Sequence, residues 1–596
     1  MAEHVHSEHH THPRPQTRLW QMLLQEKGDL AALLVYTIVT GVLALIVPLA
    51  AQALVNIIAA GIFLQPLIVL TLGVLGFLLF AGVLRLLQLS LVETLQQRIF
   101  ARTALTLAER IPRIRTNALA GEYAPELVNR FFDTLTVQKS LAKLLLDGLG
   151  ALLQTFVGLV LLAFYSPLLL GLDLVIILFM PLVFGLLGIG GLRTSIEESV
   201  QKYRTAEWLE ELARCQTTFK MSSSQRGWLS DHADGIVTRY ILARRAHFRV
   251  LWRQAFASYT FQAIISAATL GIGGWLVINR QLTLGQLVAA EIIVISVLVA
   301  LDKLVKQTEQ VYDLLTGLDK VGHVTDMPLE RVGGDALPEK TTGATVTCRN
   351  IHFAYEEGRS VLQNLNLEIP AGARIGLVGA SGTGKSTLIA LLCGLEEPTH
   401  GVVEIEGVST REVDLSSLRY AIGLVGDNDE IFDGTIEENV IAGRTYVTRE
   451  DARRALETAQ LIPDLLKLVE GVKTPIIAGG KNLSRGQRQR LLFARAIAGN
   501  PRLLIMDEGF IAIDEKTRLM ILDAIYAPER KWTILAITHI DEVVVRSEKI
   551  VVLSEGNIVE SGKPVELAKT PGSRFAALFP YFAKTCREQS GRRRNP

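Results

Sequence analysis

Cysteine is scarce, and its placement excludes two kinds of chemistry. The four cysteines, Cys215, Cys348, Cys393 and Cys586, lie far apart and form no CxxC pair, so neither a disulfide framework nor a paired-cysteine zinc site is indicated. They read as reduced thiols. An excess of charge is also absent: 61 basic residues stand against 60 acidic ones, which gives no electrostatic reason to expect nucleic acid as a partner. No basic segment followed by a short apolar core opens the chain, so no secretory signal is read there. His4, His6, His9, His10 and His12 crowd a polar, proline-punctuated stretch instead, and residues 1–17 read as a disordered tail.

What is present is divided unevenly. At 596 residues the chain exceeds one compact core, and nearly all its long apolar runs precede Leu304. A bilayer core asks for about 20 mainly apolar residues per helix. Six segments meet that demand: residues 30–58, 64–89, 145–165, 168–189, 259–278 and 287–304. Residues 18–24, with Leu19, Trp20 and Met22 beside polar neighbours, suit a helix lying on a membrane surface. The links between spans alternate. Three are short, whereas residues 97–143 and 193–253 are long and rich in Lys and Arg, which places those two links and both termini in the cytoplasm. Polar helical patterning runs on from the spans into these links, so about 20 further helical residues would project about 30 Å past the bilayer. Asp173 and Glu291 fall inside apolar spans, where an ionisable group is costly, and are candidates either to line a polar cavity or to snorkel or contact a neighbouring helix.

Residues 316–342 form a charged linker with Gly333, Gly334 and Pro338. Beyond them, short β-branched strands alternate with helices, the pattern of a parallel α/β domain. The apolar strand at 373–378 runs into Gly379-Ala380-Ser381-Gly382-Thr383-Gly384-Lys385-Ser386-Thr387, followed by a helix through Leu388, Leu391 and Leu392. A triphosphate needs converging backbone N–H donors at a helix N-terminus, and glycines let the chain approach it closely. Lys385 would reach the β- and γ-phosphates, and the Ser386 hydroxyl would bind Mg2+. A second apolar strand at 503–506 delivers Asp507 and Glu508, suited to holding Mg2+ and polarising the attacking water. A third, at 533–537, delivers Thr538 and His539, an imidazole placed to sense the γ-phosphate.

At these residues the chain resembles the ATP-binding cassette (ABC) family. Leu483-Ser484-Arg485-Gly486-Gln487 looks like the family's signature LSGGQ, and the resemblance implies that Ser484, Arg485, Gly486 and Gln487 close over a nucleotide held by a second subunit. Tyr355 matches the aromatic that stacks on adenine. Ile511-Ala512-Ile513-Asp514 is similar to the D-loop, with Asp514 crossing the dimer. In the first half, Gly121-Glu122 through Arg130 and Glu211 through Lys220 look like the cytoplasmic coupling segments of exporters, and Leu282-Thr283-Leu284-Gly285-Gln286 recurs before their sixth span. The likeness covers about residues 20–578 and is nearest to bacterial half-transporters of the peptide, toxin and type I secretion branch, without a peptidase domain ahead of the membrane part.

Three positions depart from that pattern. The family's Q-loop glutamine falls at Asp427, which would then approach both Mg2+ and the water. A glutamate ahead of the signature falls at Ala478, and Arg485 stands where the signature has Gly. The reading is therefore an all-α six-helix transmembrane domain (18–315), a linker (316–342), a cytoplasmic α/β P-loop NTPase domain (343–578) and a basic tail (579–596). Arg592, Arg593 and Arg594 in that tail can touch anionic lipid headgroups. The resemblance implies an ATPase that uses ATP and Mg2+, sits in a bacterial inner membrane, and pairs with a second half-transporter, a homodimer, to export a peptide, protein or lipid by alternating access. An ATP-gated channel or regulatory membrane protein is the alternative from another class, and one half of a heterodimeric exporter is a third. An importer is disfavoured because cassette and spans share one chain in exporter order.

Overall fold

The computed structural model describes residues 14–592, apart from 60–63, 120–123, 165–166, 223–225, 356–358 and 427–429. The chain divides into two compact units, Met1–Leu329 and Glu330–Pro596. The N-terminal histidines, Asp427, and Gly121 and Glu122 of the first coupling segment lie outside the described residues, as do Arg593 and Arg594.

The described residues of the first unit are helical almost throughout. Its helices are α1 (Pro15–Gln25), α2 (Lys27–Leu43), α3 (Ile46–Ala59), α4 (Leu64–Arg110), α5 (Ala124–Asn129), α6 (Asp133–Lys143), α7 (Leu149–Ala163), α8 (Pro167–Pro181), α9 (Gly191–Arg214), α10 (Gln216–Met221), α11 (Arg226–Ile278) and α12 (Leu284–Thr325). Six stretches are long and apolar enough to cross a membrane: Lys27–Ala59, Leu64–Arg113, Leu127–Ala163, Leu168–Leu186, Gly227–Ile278 and Leu284–Thr325. They coincide with the six runs read from the sequence; the second, third, fifth and sixth extend well past one end of their runs, the first gains only a few residues, and the fourth stops at Leu186, short of the expected 189. An apolar run ends where lipid would end, whereas backbone hydrogen bonding continues; α4, at 47 residues, is about 70 Å long. The first stretch is broken between α2 and α3, because Pro48 lacks the N–H that would bond the Ala44 carbonyl. A π-turn, Leu144–Gly148, joins α6 to α7.

Helix α12 is the axis of this unit. It begins with a reciprocal cap, in which the Gln286 N–H donates to Thr283 Oγ1 at 3.1 Å and the Thr283 N–H donates to Gln286 Oε1 at 2.8 Å. Its small and branched side chains, among them Ala289, Ala290, Ile293 and Val297, are buried against α3, α6, α7, α9 and α11. It continues to Thr325, so the first ten residues of the expected linker are helical. By contrast, α4 and α8 leave Leu72, Leu75, Phe80, Leu174 and Ile177 exposed, a lipid-compatible surface. The surface helix expected at 18–24 forms as α1, but one face of it packs on protein. Leu19, Met22 and Leu23 sit against Ile99, Val137 and Leu314, and Arg18 pairs with Asp326.

The second unit is an α/β domain with strands β1 (Val346–Ala354), β2 (Ser360–Ile369), β3 (Arg374–Val378), β4 (His400–Ile405), β5 (Val408–Ser409), β6 (Ile422–Val425), β7 (Gly434–Thr435), β8 (Pro475–Ile476), β9 (Leu503–Asp507), β10 (Thr533–Ile537), β11 (Lys549–Ser554) and β12 (Asn557–Gly562). The main sheet has the order β12-β11-β3-β10-β9-β6, parallel except for β12. Strands β3, β9 and β10 are covered on both faces, which is why they read as unbroken apolar runs. A second, antiparallel sheet has the order β2-β1-β4-β5. In the main sheet, Ile537 is level with Leu377 on one side and with Asp507 on the other. The three segments that follow these strands therefore leave the sheet at one edge, where a ligand across the strand ends would meet them.

Candidate functional site

Three strand ends build one cleft. After β3 the chain turns through Gly379 to Gly384 and enters the helix Lys385–Leu392. Gly382 and Gly384 have φ of 79° and 98°, a backbone region that penalises a side chain. A Cβ on Gly384 would also lie 2.6 Å from Leu362 Cδ2 and 3.2 Å from the Val361 carbonyl oxygen. Thr383 Oγ1 donates to the Ala380 carbonyl at 2.9 Å and steadies the turn.

Lys385 is buried at the start of the helix. Its ammonium donates to the carbonyls of Gly379 at 2.9 Å and Ala380 at 2.8 Å. Burial draws this ammonium below the usual lysine range, and the charges of Glu508 and Asp507 work against that shift. The cation thus remains curled on its own loop, ready to exchange neutral carbonyls for a charged oxygen.

Asp507 ends β9, and its Oδ2 accepts from Ser386 Oγ at 3.3 Å. A hydroxyl and a carboxylate oxygen at this separation are the oxygen ligands that suit Mg2+, which keeps waters or phosphates in its other positions. No cluster of three or more His, Cys, Asp or Glu side chains able to hold a metal occurs among the described residues. Glu508 follows at φ 54°, fixed by its N–H donating to the Ile537 carbonyl at 3.1 Å. His539 Nε2 lies 3.4 Å from Glu508 Oε1, and the adjacent Thr538 hydroxyl accepts from the Ile540 N–H at 2.9 Å.

The resulting cleft has a volume of about 570 Å3. Ser381, Gly382, Gly384, Lys385, Ser386, Thr387, Asp507, Glu508 and His539 all line it. Gly379 and Thr383 shape the loop from behind. Val361, on β2, also lines the cleft; no motif marks it, because the antiparallel sheet brings it there from outside the loop. Tyr355 presents an exposed ring, edge-on to Phe353 with centroids 4.8 Å apart, and its hydroxyl is 3.3 Å from Thr387 Oγ1. Such a ring is a free stacking surface beside the phosphate loop.

The signature residues do not line this cleft. Ser484 caps the helix Arg485–Ala498: its hydroxyl accepts from the Gln487 N–H at 3.2 Å, and Gln487 Oε1 accepts from the Ser484 N–H at 2.9 Å. The first-turn N–H groups of this helix, at Arg485 and Gly486, have no intrahelical carbonyl four residues back to bond. Arg485 lines a second cavity of about 580 Å3 with Glu430, Asp433, Arg488 and Gln489. Asp514 caps the next helix by accepting from the Thr517 N–H at 3.0 Å, and that bond holds its carboxyl below the usual range. Gln489, which sequence reasoning passed over, ties the two segments together: its Oε1 accepts from the Ala512 N–H at 2.9 Å. Ala478 stands on a 3-10 turn, Ala478–Gly480.

Known proteins resemble this chain in sequence and in fold. Residues 362–510 match the ABC transporter family model. Over 566 residues, 92% of this chain and 77% of the relative, the chain is 24% identical to the transport/processing ATP-binding protein ComA of Streptococcus pneumoniae. It is 28% identical over 387 residues to the alpha-hemolysin translocation ATP-binding protein HlyB of Escherichia coli, covering 61% of this chain and 54% of that one. It is 36% identical over 236 residues to the mitochondrial iron-sulfur clusters transporter ABCB7 of Danio rerio, covering 40% and 32%. Among solved structures, a bacterial Atm1-family ABC exporter with ATP bound superposes with a TM-score of 0.81 at 22% identity, over 93% of this chain and 98% of that one.

Proposed function

We propose that the chain is a multi-pass ABC half-transporter of exporter build, and that two copies form a homodimer that exports a peptide, protein or lipid by alternating access; the match of residues 362–510 to the ABC transporter family model and the six helices long and apolar enough to cross a membrane support this reading. The observation that carries this reading is the single cleft in which Lys385, Ser386, Asp507, Glu508 and His539 meet, on a chain whose other unit holds six apolar helices. Lys385 leaves the Gly379 and Ala380 carbonyls for the β- and γ-phosphate oxygens. Ser386 and Asp507 would hold Mg2+, whose charge would offset that of the phosphates. Glu508 orients the attacking water, and His539, beside it, reads the γ-phosphate. Tyr355 stacks on the adenine.

Ser484, with the first-turn N–H groups of Arg485 and Gly486, then caps the γ-phosphate held by the other copy, and Asp514 reaches across. Gln489 keeps those two elements in register. Each ATP favours the closed pair only through tighter binding there than in the open one. Both termini and the nucleotide unit face the cytoplasm of a bacterial inner membrane, and the helical extensions of α4, α6, α9, α11 and α12 carry the closing motion to the spans.

The test is flux of fluorescent cargo candidates into inverted vesicles containing the full chain. The reading expects accumulation against a gradient with Mg-ATP and none with a non-hydrolysable analogue. Flux that runs only down a gradient and proceeds equally with the analogue would replace export with ATP-gated passage.

A further inference from the structure

In the first unit a cavity of about 400 Å3 opens among α2, α4, the π-turn Leu144–Gly148, α7 and α12. Its lining is unlike the apolar runs around it. Arg85 on α4, Asp147 in the π-turn and Lys303 on α12 all border it, and none of the three makes a hydrogen bond or ion pair among the described residues. Each lies within a few residues of the end of an apolar run, and all three ends belong to one side of the bundle. Charges there are costly unless they meet something. Two cations against one carboxylate leave one positive charge uncompensated.

The neutral polar groups are already engaged. Gln88, which is buried, donates through Nε2 to Thr37 Oγ1 at 3.1 Å and to Thr40 Oγ1 at 3.4 Å. Gln154 Nε2 donates to the Ser296 carbonyl at 3.4 Å. These bonds stiffen the wall and leave the cations as the free donors. Leu89 and Leu146 complete the lining, so the cavity offers a charged end and an apolar flank together. Its volume suits a headgroup or small organic anion, not a folded chain. A π-turn, a local widening common at functional sites, sets Asp147 into the wall.

We propose that this cavity binds the anionic headgroup of an amphiphile, a phosphate or carboxylate held between Arg85 and Lys303, with the apolar portion along Leu89 and Leu146. The guanidinium fork matches two oxygens of such a group, and the lysine adds a point charge. Asp147 opposes the anion and keeps its residence short enough for release. The inference rests on the export reading, since it names the chemistry of what the spans would carry or sense. The bland alternative, cations reaching for the bilayer surface with no ligand, gives no preference for one soluble headgroup over another.

The experiment uses the full chain in phosphatidylcholine nanodiscs, with ATP hydrolysis followed as decyl phosphate or the neutral decyl glucoside is added, each variant being compared with its own unstimulated rate. Decyl phosphate is expected to stimulate and decyl glucoside not. Arg85→Gln and Lys303→Gln should each raise the half-maximal concentration about tenfold, Asp147→Asn should lower it, and Lys306→Gln, whose cation is paired with Asp302 at 2.7 Å outside the cavity, should leave it alone. Nanodiscs containing phosphatidylglycerol separate the sources. Stimulation by that lipid with loss of any further response to decyl phosphate identifies a bilayer headgroup, and an undiminished response identifies a soluble amphiphile. Equal responses to the two decyl probes overturn the proposal, as does an Asp147→Asn shift in the same direction as Arg85→Gln. Should a cation variant fail to fold, the two probes on the unmodified chain and Asp147→Asn still decide. If the unmodified chain hydrolyses no ATP under any condition, it is the export reading that fails, which is a different result from hydrolysis that ignores headgroup charge.

Discussion

Gly382→Ala and Gly384→Ala form a pair of perturbations that differ in one physical quantity. Both residues have positive φ, so alanine at either costs about 1–2 kcal/mol in backbone strain. At Gly382 nothing lies within 4 Å of the new methyl, and strain is the whole effect. At Gly384 the methyl would meet Leu362 Cδ2 at 2.6 Å and the Val361 carbonyl at 3.2 Å; the leucine tip can turn aside, but the backbone of β2 cannot, adding about 1–3 kcal/mol. Thermal unfolding of the nucleotide unit in the full chain, followed by intrinsic fluorescence, should place Gly384→Ala several degrees below Gly382→Ala, at about 2–4 °C per kcal/mol for a domain of this size. The shift in unfolding temperature on adding Mg-ATP should shrink further in Gly384→Ala, because the loop moves off its N–H geometry. Indistinguishable unfolding temperatures for the two variants would refute the proposed clash with β2 and the loop geometry derived from it.

Ser484→Ala removes a helix cap and should cost about 1 kcal/mol in stability. Its larger expected effect is slowed hydrolysis with nucleotide binding to the Lys385 cleft retained; an unaltered rate in steady-state phosphate release would sever the signature from the reaction. Gln489→Ala frees the Ala512 N–H, at a cost of about 1–3 kcal/mol, and should lower kcat more than it raises KM for ATP; an effect on KM alone would contradict the alignment role. Burial pushes the Glu406 carboxyl up, but Lys340, the Thr345 N–H and Arg502 outweigh it and hold the group below its usual range. A depressed folded value means stabilisation that is complete above the ordinary carboxylate range, wanes as pH falls below that range, and is gone once pH has fallen through the lower folded value. Glu406→Gln should therefore cost about 1–2 kcal/mol at neutral pH, allowing for solvent screening of Lys340, and almost nothing in acid; a cost independent of pH would show that the charge is not responsible.

Much of this molecule was legible because its signals are local. The phosphate loop announces itself by glycines at fixed spacing between a buried strand and a helix, and the six apolar runs mark the spans. Other features depend on distant packing. The antiparallel sheet β2-β1-β4-β5 reads in sequence as strands like any others, since partner choice leaves no local trace. Val361 and Gln489 reach their places through that packing and carry no motif. Asp173 and Glu291 were candidates for a polar cavity by their cost in lipid, but neither lines the cavity found. Asp173 is buried with both carboxylate oxygens unpartnered among the described residues, while Arg85, Asp147 and Lys303, nearer the ends of their runs, turn toward the opening. Spacing along a helix gives cost, and only the neighbouring helices decide direction.

The central claim is that a carboxylate at one strand end drives hydrolysis of a nucleotide held by the adjacent loop. Its most direct test is phosphate release by purified full-length Glu508→Gln with Mg-ATP binding measured on the same sample. The account predicts release reduced by about a hundredfold or more with binding preserved. Release at the unmodified rate, with binding intact, would contradict it.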